Sequence, residues 1–368
     1  MKIAILHNYL DNIGGAQVAL FTLARELKAD VYSTVVDQDA IATMGFDQEV
    51  KSIGWIPTNA PWRHQAAVAR FRSLDLSQQY DAFIIAGDWA LAASVRNSPS
   101  IWWCHTPSRE LWDLYERTRA TTVPWHKRRV YDAWVSYNRH LNRKHAKQVH
   151  TIVAGSHNAQ ARLQQFLAID APVIYPPVDT KSFHAGSNEG YWLSVNRLIH
   201  YKRIELQLEA WAKMPSRRLI IVGADEPARH FQKYKGKLMS SKPGNVEFLP
   251  PQSSSALREL YAHAEGFVTT SHDEDFGLTP LEAMASGTPV VAVNEGGYQE
   301  TVVDGTTGYL ITASANAVVE AVTKIAQAPN NYRAACQTRA AQFDTNQTVR
   351  QFEAVLATLP QTMPVLQK

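Results

Sequence analysis

Two glutamates, Glu274 and Glu282, stand eight positions apart in the stretch from Ser271 to Leu310, SHDEDFGLTPLEAMASGTPVVAVNEGGYQETVVDGTTGYL, with a glycine turn between them. Phe276-Gly277-Leu278 reads as a turn in which glycine lets the backbone approach a neighbour closely. Thr279 then suits the N-cap of a helix, Pro280 its first helical position and Glu282 its third. The open N–H groups of such a terminus, with its dipole, attract an anion such as a diphosphate. Carboxylates flanking that anion would repel it, so their chemistry is hydrogen bonding to sugar hydroxyls. Thr279-x-x-Glu282 is also a capping box, in which Glu282 would do no more than satisfy a backbone donor. A second glycine pair, Gly296-Gly297, follows the apolar run Pro289–Val293 and marks another strand-to-turn crossing.

Cations recur at a comparable place. Arg197 follows the apolar run Trp192–Val195, and Lys202 lies five residues on. Two positive charges at the carboxyl end of a buried strand would neutralise a leaving diphosphate. The plainer reading is a solvated loop pair, because arginine and lysine are rarely buried without partners. His105 ends the run Ile101–Cys104, and Thr106-Pro107 stops it. A histidine there can face a cleft and donate to a sugar hydroxyl or carbonyl, though a lone histidine is more often a structural donor. Gly14-Gly15 sits at the first strand-to-helix crossing, where a tight turn is the ordinary explanation.

Taken together, these stretches resemble the retaining glycosyltransferases of the GT-B fold, glycosyltransferase family 4. The family signature of two glutamates around an FG turn, an EAMA-x-G-x-PVVA run and a GG-x-x-E loop is matched in order. Here it reads Glu274-Asp275-Phe276-Gly277, Glu282-Ala283-Met284-Ala285, Gly287-Thr288-Pro289-Val290-Val291-Ala292 and Gly296-Gly297-Tyr298-Gln299-Glu300. The resemblance implies that Glu274 contacts the donor sugar and Glu282 the nucleotide ribose, with Asp275, Phe276, Gly277, Leu278 and Thr279 lining the donor. SVNRLIHYKR resembles the element whose arginine and lysine, here Arg197 and Lys202, hold the donor phosphates. The string Cys104-His105-Thr106-Pro107-Ser108-Arg109-Glu110-Leu111-Trp112-Asp113 looks like a stretch of bacterial mannosyltransferases, with Trp103 where tyrosine is usual. That places His105 beside the donor sugar or the reacting centre. Gly14-Gly15-Ala16-Gln17 is similar to the family's loop near the donor phosphate and acceptor, whereas Glu300 is read as structural.

The implied activity is metal-independent hexosyl transfer in polysaccharide or glycoconjugate synthesis, with GDP-mannose favoured as donor and a glycan or lipid-linked glycan as acceptor. No cofactor is implied, since the nucleotide sugar is a substrate. No metal is assigned: the histidines do not repeat at ligand spacing, and the chain is read as lacking a D-x-D metal pair. UDP-glucose or UDP-N-acetylglucosamine remains the alternative donor, with the base pocket expected around Gly223–Arg229 and Pro250–Ser254. An alternative of another class is a non-catalytic subunit of the same fold that binds a partner.

Bulk properties agree with an ordinary soluble globular protein. At 368 residues the chain exceeds what one core usually organises, so two domains are expected. A content of 45% hydrophobic and 19% charged residues excludes disorder, and a net charge of +3 is too small to argue for nucleic acid. Cys104 and Cys336 suggest a reducing cytoplasm rather than a disulfide framework. The opening MKIAILHNYL reads as a first strand rather than a signal peptide, and no apolar run is long enough to span a bilayer.

The elements that must position these residues alternate. Strands are expected at Ile3–His7, Asp81–Ala86, Ile101–Cys104, Thr151–Val153 and Val173–Tyr175, with helices over Ala16–Leu27 and from about Asn158. Pro176-Pro177-Val178-Asp179 reads as a linker. A second series follows: strands Trp192–Val195, Leu219–Val222, Val246–Leu249, Gly266–Thr269 and Pro289–Val293, and helices Ile204–Ala212 and Phe343–Leu356, with Pro360 and Pro364 in an irregular tail. This is α/β alternation, predicting two Rossmann-like parallel sheets that face an interdomain cleft. The expected divisions are an acceptor-side domain 1–178, a nucleotide-sugar domain 179–342, and a segment 343–368 that the resemblance carries back to the first domain. Between Trp125 and His150, seven lysines and arginines meet one acid, Asp132, while Val130, Trp134, Tyr137 and Leu141 recur at helical spacing. Such a helix is ordinarily a solvated face. It, or Arg63, Arg70 and Arg72 near Trp62 and Phe71, could instead touch anionic lipid, giving a cytoplasmic protein peripheral at the inner membrane face.

Overall fold

Among the described residues, twelve short strands form two parallel sheets of six. The computed structural model describes residues 1–224 and 229–360; the expected base-pocket residues 225–228 and Pro364 lie outside them. In the first sheet the strands are β1 (Ile3–His7), β2 (Asp30–Ser33), β3 (Val50–Ser52), β4 (Ala82–Ile85), β5 (Ser100–Cys104) and β6 (Thr151–Ala154). They are ordered β3-β2-β1-β4-β5-β6. The second holds β7 (Tyr191–Arg197), β8 (Arg218–Ala224), β9 (Val246–Leu249), β10 (Gly266–Thr269), β11 (Val290–Val293) and β12 (Gly308–Ile311), ordered β12-β11-β10-β7-β8-β9. Every residue of β1, β4, β5, β10 and β11 is buried, as continuous apolar runs covered by helices on both faces require.

Both sheets reverse their winding at one point, between β1 and β4 in the first and between β7 and β10 in the second. Side chains leaving the carboxyl ends of those strands enter a crevice where ligands of open α/β sheets bind. His7 ends β1 and Arg197 ends β7, while the loop carrying Glu274 follows β10. For Arg197 and Glu274 the sheet order therefore selects the same residues that the chemistry selects, and it adds His7.

The chain crosses between the sheets twice. The segment at Val178 bridges Asp344 in parallel, so the two crossings lie side by side. Beyond it the helix Thr345–Thr358 packs on the helix Gly15–Leu27, and Phe352, Leu356 and Leu359 complete the core around β1 and Trp103. Phe352 meets Trp103 edge-on with ring centroids 5.0 Å apart.

Three expectations change. Val173–Tyr175 is no strand but a single bridge from Val173 to Ala154, while the strands β2, β3 and β12 were not foreseen. The final helix starts at Thr345 rather than Phe343, because Asp344 takes the N-cap and accepts from Asn346 N–H. The basic segment is indeed helical, Arg128–Ala146, but its buried stripe is Val135, Asn138, Asn142, His145 and Ala146. Val130 and Tyr137, expected on the apolar face, are exposed.

Candidate active site

The helix Leu278–Ala285 opens on Gly277, which adopts φ +101°. A Cβ there would stand 2.9 Å from Tyr298 Cδ1, so both backbone and space demand glycine. No side chain caps this terminus. Thr279 and Pro280 are consequently the second and third helical residues, not the cap and first, and the capping box is not formed. Glu282 Oε2 instead accepts from the Tyr261 hydroxyl at 2.7 Å. Burial lifts the Glu282 carboxyl above its usual range, and the tyrosine bond opposes that lift.

Lys202 and Glu274 form the charged centre of the second domain. Lys202 Nζ donates to Glu274 Oε1 at 2.9 Å and Oε2 at 2.8 Å, with the side chains 14% and 20% exposed, so Lys202 is no solvated loop cation. The turn that carries it is fastened to the end of β10 by Thr270, whose hydroxyl donates to the Lys202 carbonyl at 2.9 Å. Burial alone would raise the Glu274 carboxyl, but Lys202, with smaller help from Ser271 and Arg197, holds it below its ordinary value. Arg197 donates to the Tyr201 hydroxyl at 2.8 Å and reaches a cavity of about 650 Å³ shared with the first domain.

The first domain faces this centre with uncharged imidazoles. His7 Nδ1 donates to the Ala86 carbonyl at 3.0 Å, and burial lowers its pKa to about 4. The His105 ring lies against Trp103, 4.3 Å between centroids, and its Nε2 is buried without a hydrogen-bond partner. Burial and then His7 lower the His105 pKa to about 3, so it serves as a neutral group. Tyr9 and His64 bond each other at 2.9 Å and line the cavity with His7. Arg63, considered above as a lipid contact, pairs with Asp11 at 2.6 Å in the cavity wall, and Phe71 is core.

Gly15 brings the two halves together. A Cβ on Gly15 would stand 2.8 Å from Leu278 Cδ1, so the starts of the helices Gly15–Leu27 and Leu278–Ala285 meet across the cleft. Gly14 is the N-cap of the former, in extended conformation and with no side-chain bond. Phe276 is buried and stacks on Tyr175, 5.1 Å between centroids, which makes it a wall of the hinge region. Asp275 turns toward the first domain, where Arg162 pairs with it. Contrary to the expectation that a D-x-D pair is lacking, Asp273 and Asp275 stand at that spacing, and Arg162 engages both carboxylates. Glu300 accepts from the backbone N–H groups of His157 at 2.7 Å and Asn158 at 2.8 Å, a carboxylate of one domain capping a helix of the other. His7, His64, Arg162 and Asn158 carried no usable sequence signal, since their partners are remote in the chain.

Two parallel six-stranded sheets facing a cleft, with an uncapped helix start and a lysine–carboxylate pair at the switch point, have the architecture of the GT-B glycosyltransferases. The model for "Glycosyltransferase Family 4" matches residues 13–182, and that for "Glycosyl transferases group 1" matches 178–343. The chain belongs to the glycosyltransferases of family 4. It is 27% identical to the alpha-1,3/1,6-mannosyltransferase ALG2 of Dictyostelium discoideum over 90% of this chain and 91% of that one. It is 31% identical to a D-inositol 3-phosphate glycosyltransferase of Mycolicibacterium smegmatis, over 42% of this chain and 40% of that one. Among solved structures, Anabaena Alr3699/HepE in complex with UDP-glucose superposes with a TM-score of 0.76 at 20% identity, over 98% of this chain and 100% of that one. Sucrose-phosphate synthase of Thermosynechococcus elongatus gives 0.77 at 18% identity, over 97% and 98%. Among the described residues, no helix is long and apolar enough to cross a membrane.

Proposed function

We propose that this glycosyltransferase moves mannose from GDP-mannose to a hydroxyl of a glycan or lipid-linked glycan, with retention at the anomeric carbon. The observation that carries the donor site is the Lys202–Glu274 pair beside Arg197, opposite the converging helix starts at Gly15 and Leu278. Arg197, Lys202 and the first N–H groups of the helix Leu278–Ala285 would take the diphosphate, and Glu282 the ribose hydroxyls. Glu274 would then turn its carboxylate to the sugar hydroxyls as the phosphates compete for Lys202.

In the transfer the bond from C1 of the sugar to the diphosphate oxygen breaks and the electron pair leaves with the diphosphate. The acceptor oxygen forms its bond to C1 on the same face, and its proton passes to the departing phosphate. The fixed cations stabilise the charge that develops there, without a resident metal or cofactor. His105 would offer its unpaired Nε2 to a sugar hydroxyl, and His7, Tyr9 and His64 would form the acceptor side. Interdomain closure excludes water that would otherwise hydrolyse the donor.

Mannose is favoured by the match over nine-tenths of the chain to a mannosyltransferase. UDP-glucose is the second reading, favoured by the bound donor of the superposable Alr3699/HepE. A peripheral site on an anionic cytoplasmic membrane face would suit a lipid-linked acceptor. Thermal unfolding with GDP, UDP, ADP, CDP and their sugars, without added metal, tests the donor. At about 100 times its Kd a ligand adds about 2.7 kcal/mol of stability. Selective stabilisation by GDP-mannose supports the first reading, and by UDP-glucose the second. Silence with every nucleotide points to a non-catalytic subunit.

A further inference from the structure

The loop that carries Glu274 belongs to the second domain but is held by the first. Three successive carbonyl groups accept hydrogen bonds across the domain boundary. Asp273 O accepts from Arg109 at 3.0 Å and Arg162 at 2.9 Å, Glu274 O from Asn158 Nδ2 at 2.8 Å, and Asp275 O from Ser156 Oγ at 2.6 Å. The flanking carboxylates are held too. Arg162 Nη2 donates to Asp273 Oδ2 at 2.8 Å and Nη1 to Asp275 Oδ1, while Nη1 also reaches Thr106 Oγ1 at 2.7 Å. The Arg162 side chain is 5% exposed, so its charge is there for these partners. Asp273 adopts φ +47°, a conformation that non-glycine residues keep only where their surroundings fix it.

We infer that Arg162, supported by Asn158 and Ser156, is the positioning residue for Glu274, so that the first domain sets where the sugar-binding carboxylate of the second domain stands. Of the groups that would take the diphosphate, Arg197 bonds Tyr201 and Lys202 bonds Glu274, all from the second domain, while the start of the helix Leu278–Ala285 meets Gly15 of the first domain through the Leu278 side chain. The hydrogen bonds from the first domain fall on the carbonyls of residues 273–275, so the seat bears on the sugar contact more directly than on the nucleoside diphosphate. Arg162 bonds the loop flanking Glu274 and not the Glu274 carboxylate. The inference rests on the reading of Glu274 as the sugar contact.

The test is calorimetry and donor turnover with the full chain, comparing wild type, Arg162→Gln, Arg162→Lys and Asn158→Ala. GDP and UDP are titrated alone, then GDP-mannose and UDP-glucose, and sugar release from the preferred donor is followed as slow hydrolysis. Arg162→Gln should keep the nucleoside diphosphate Kd within about threefold while kcat falls roughly 30-fold, with partial recovery in Arg162→Lys. A structural role alone would not produce that split. Unchanged kcat in Arg162→Gln, or equal losses of diphosphate binding and turnover, would overturn the inference. Should Arg162→Gln fail to fold, Asn158→Ala and Asp275→Asn, each removing one part of the seat, carry the same expectation. A wild type that binds no nucleoside diphosphate would overturn the reading of the site, and this inference with it.

Discussion

Lys202 sets its ammonium 2.9 and 2.8 Å from the two carboxylate oxygens of Glu274. Burial would otherwise raise the glutamate pKa, and the lysine reverses the direction. In Lys202→Met that opposition is gone, so Glu274 ionises at a higher pH. The acid limb of the kcat/KM profile should move upward, and kcat/KM near neutrality should fall about 100-fold through the lost diphosphate cation. Paired pH–rate profiles check this; an acid limb that stays in place would count against the pairing as functional.

Gly15 and Gly277 predict opposite kinds of damage. Gly277→Ala forces a side chain into φ +101° and toward Tyr298, and should cost about 1–3 kcal/mol in urea unfolding. Gly15→Ala meets the end of the Leu278 side chain across the cleft, so stability should hold while kcat/KM drops about tenfold. Leu278→Ala in the Gly15→Ala background should recover part of that loss. No recovery would mean the clash is not what limits the variant.

Buried histidines make the protein acid-sensitive. His7 and His145 are lowered from 6.5 to about 4, chiefly by burial, with Arg72 and Lys144 adding to the effect at His145. The unfolded chain protonates them near 6.5 and the folded chain near 4. Their contribution is therefore present above about 6.5 and is lost as the pH falls toward 4. Urea midpoints should decline from pH 7.5 to pH 5. His145→Gln should flatten the slope by up to about 1.4 kcal/mol per pH unit. A slope unchanged by His145→Gln would exclude it as a source.

The membrane reading makes its own prediction. Trp62, Trp125 and Val130 are 71%, 81% and 73% exposed, and Lys127, Arg128 and Arg129 accompany the latter two. Gln65 bonds Asn138 at 2.8 Å, so the helix Trp62–Ser73 packs on the helix Arg128–Ala146, which the turn Trp125–Lys127 leads into. Binding to phosphatidylglycerol vesicles should appear at low salt, fade with added salt, and weaken in Trp125→Ala and Lys127→Ala. Failure to co-sediment at low salt would remove the peripheral location.

Much of the architecture was legible because buried parallel strands are apolar runs, as at Ile3–His7, Gly266–Thr269 and Val290–Val293. Asp30–Ser33 and Val50–Ser52 were missed because they are short and carry polar residues. The basic helix was turned the wrong way, since three of its five buried residues, Asn138, Asn142 and His145, are polar. Asn138 shows why this is tolerated: its amide donates to the Trp134 carbonyl at 2.8 Å and accepts from Gln65. In the site, Lys202 and Glu274 stood out by type and context. Arg162 did not, because its partner Asp273 lies 111 residues away and nothing local marks the pair. The misplaced cap at Thr279 has a local cause: Gly277 in the left-handed region starts the helix two residues earlier than a threonine cap would allow.

The helix Thr345–Thr358 has a consequence for how the protein is made. Phe352 is fully buried among residues drawn from β1 and from Trp103, so the first domain's core is finished by residues synthesised after the second domain. While the ribosome is building the second domain, the first must wait with an open apolar seat beside the helix Gly15–Leu27. The order of translation and the order of completion are therefore reversed: the domain that emerges first is sealed last.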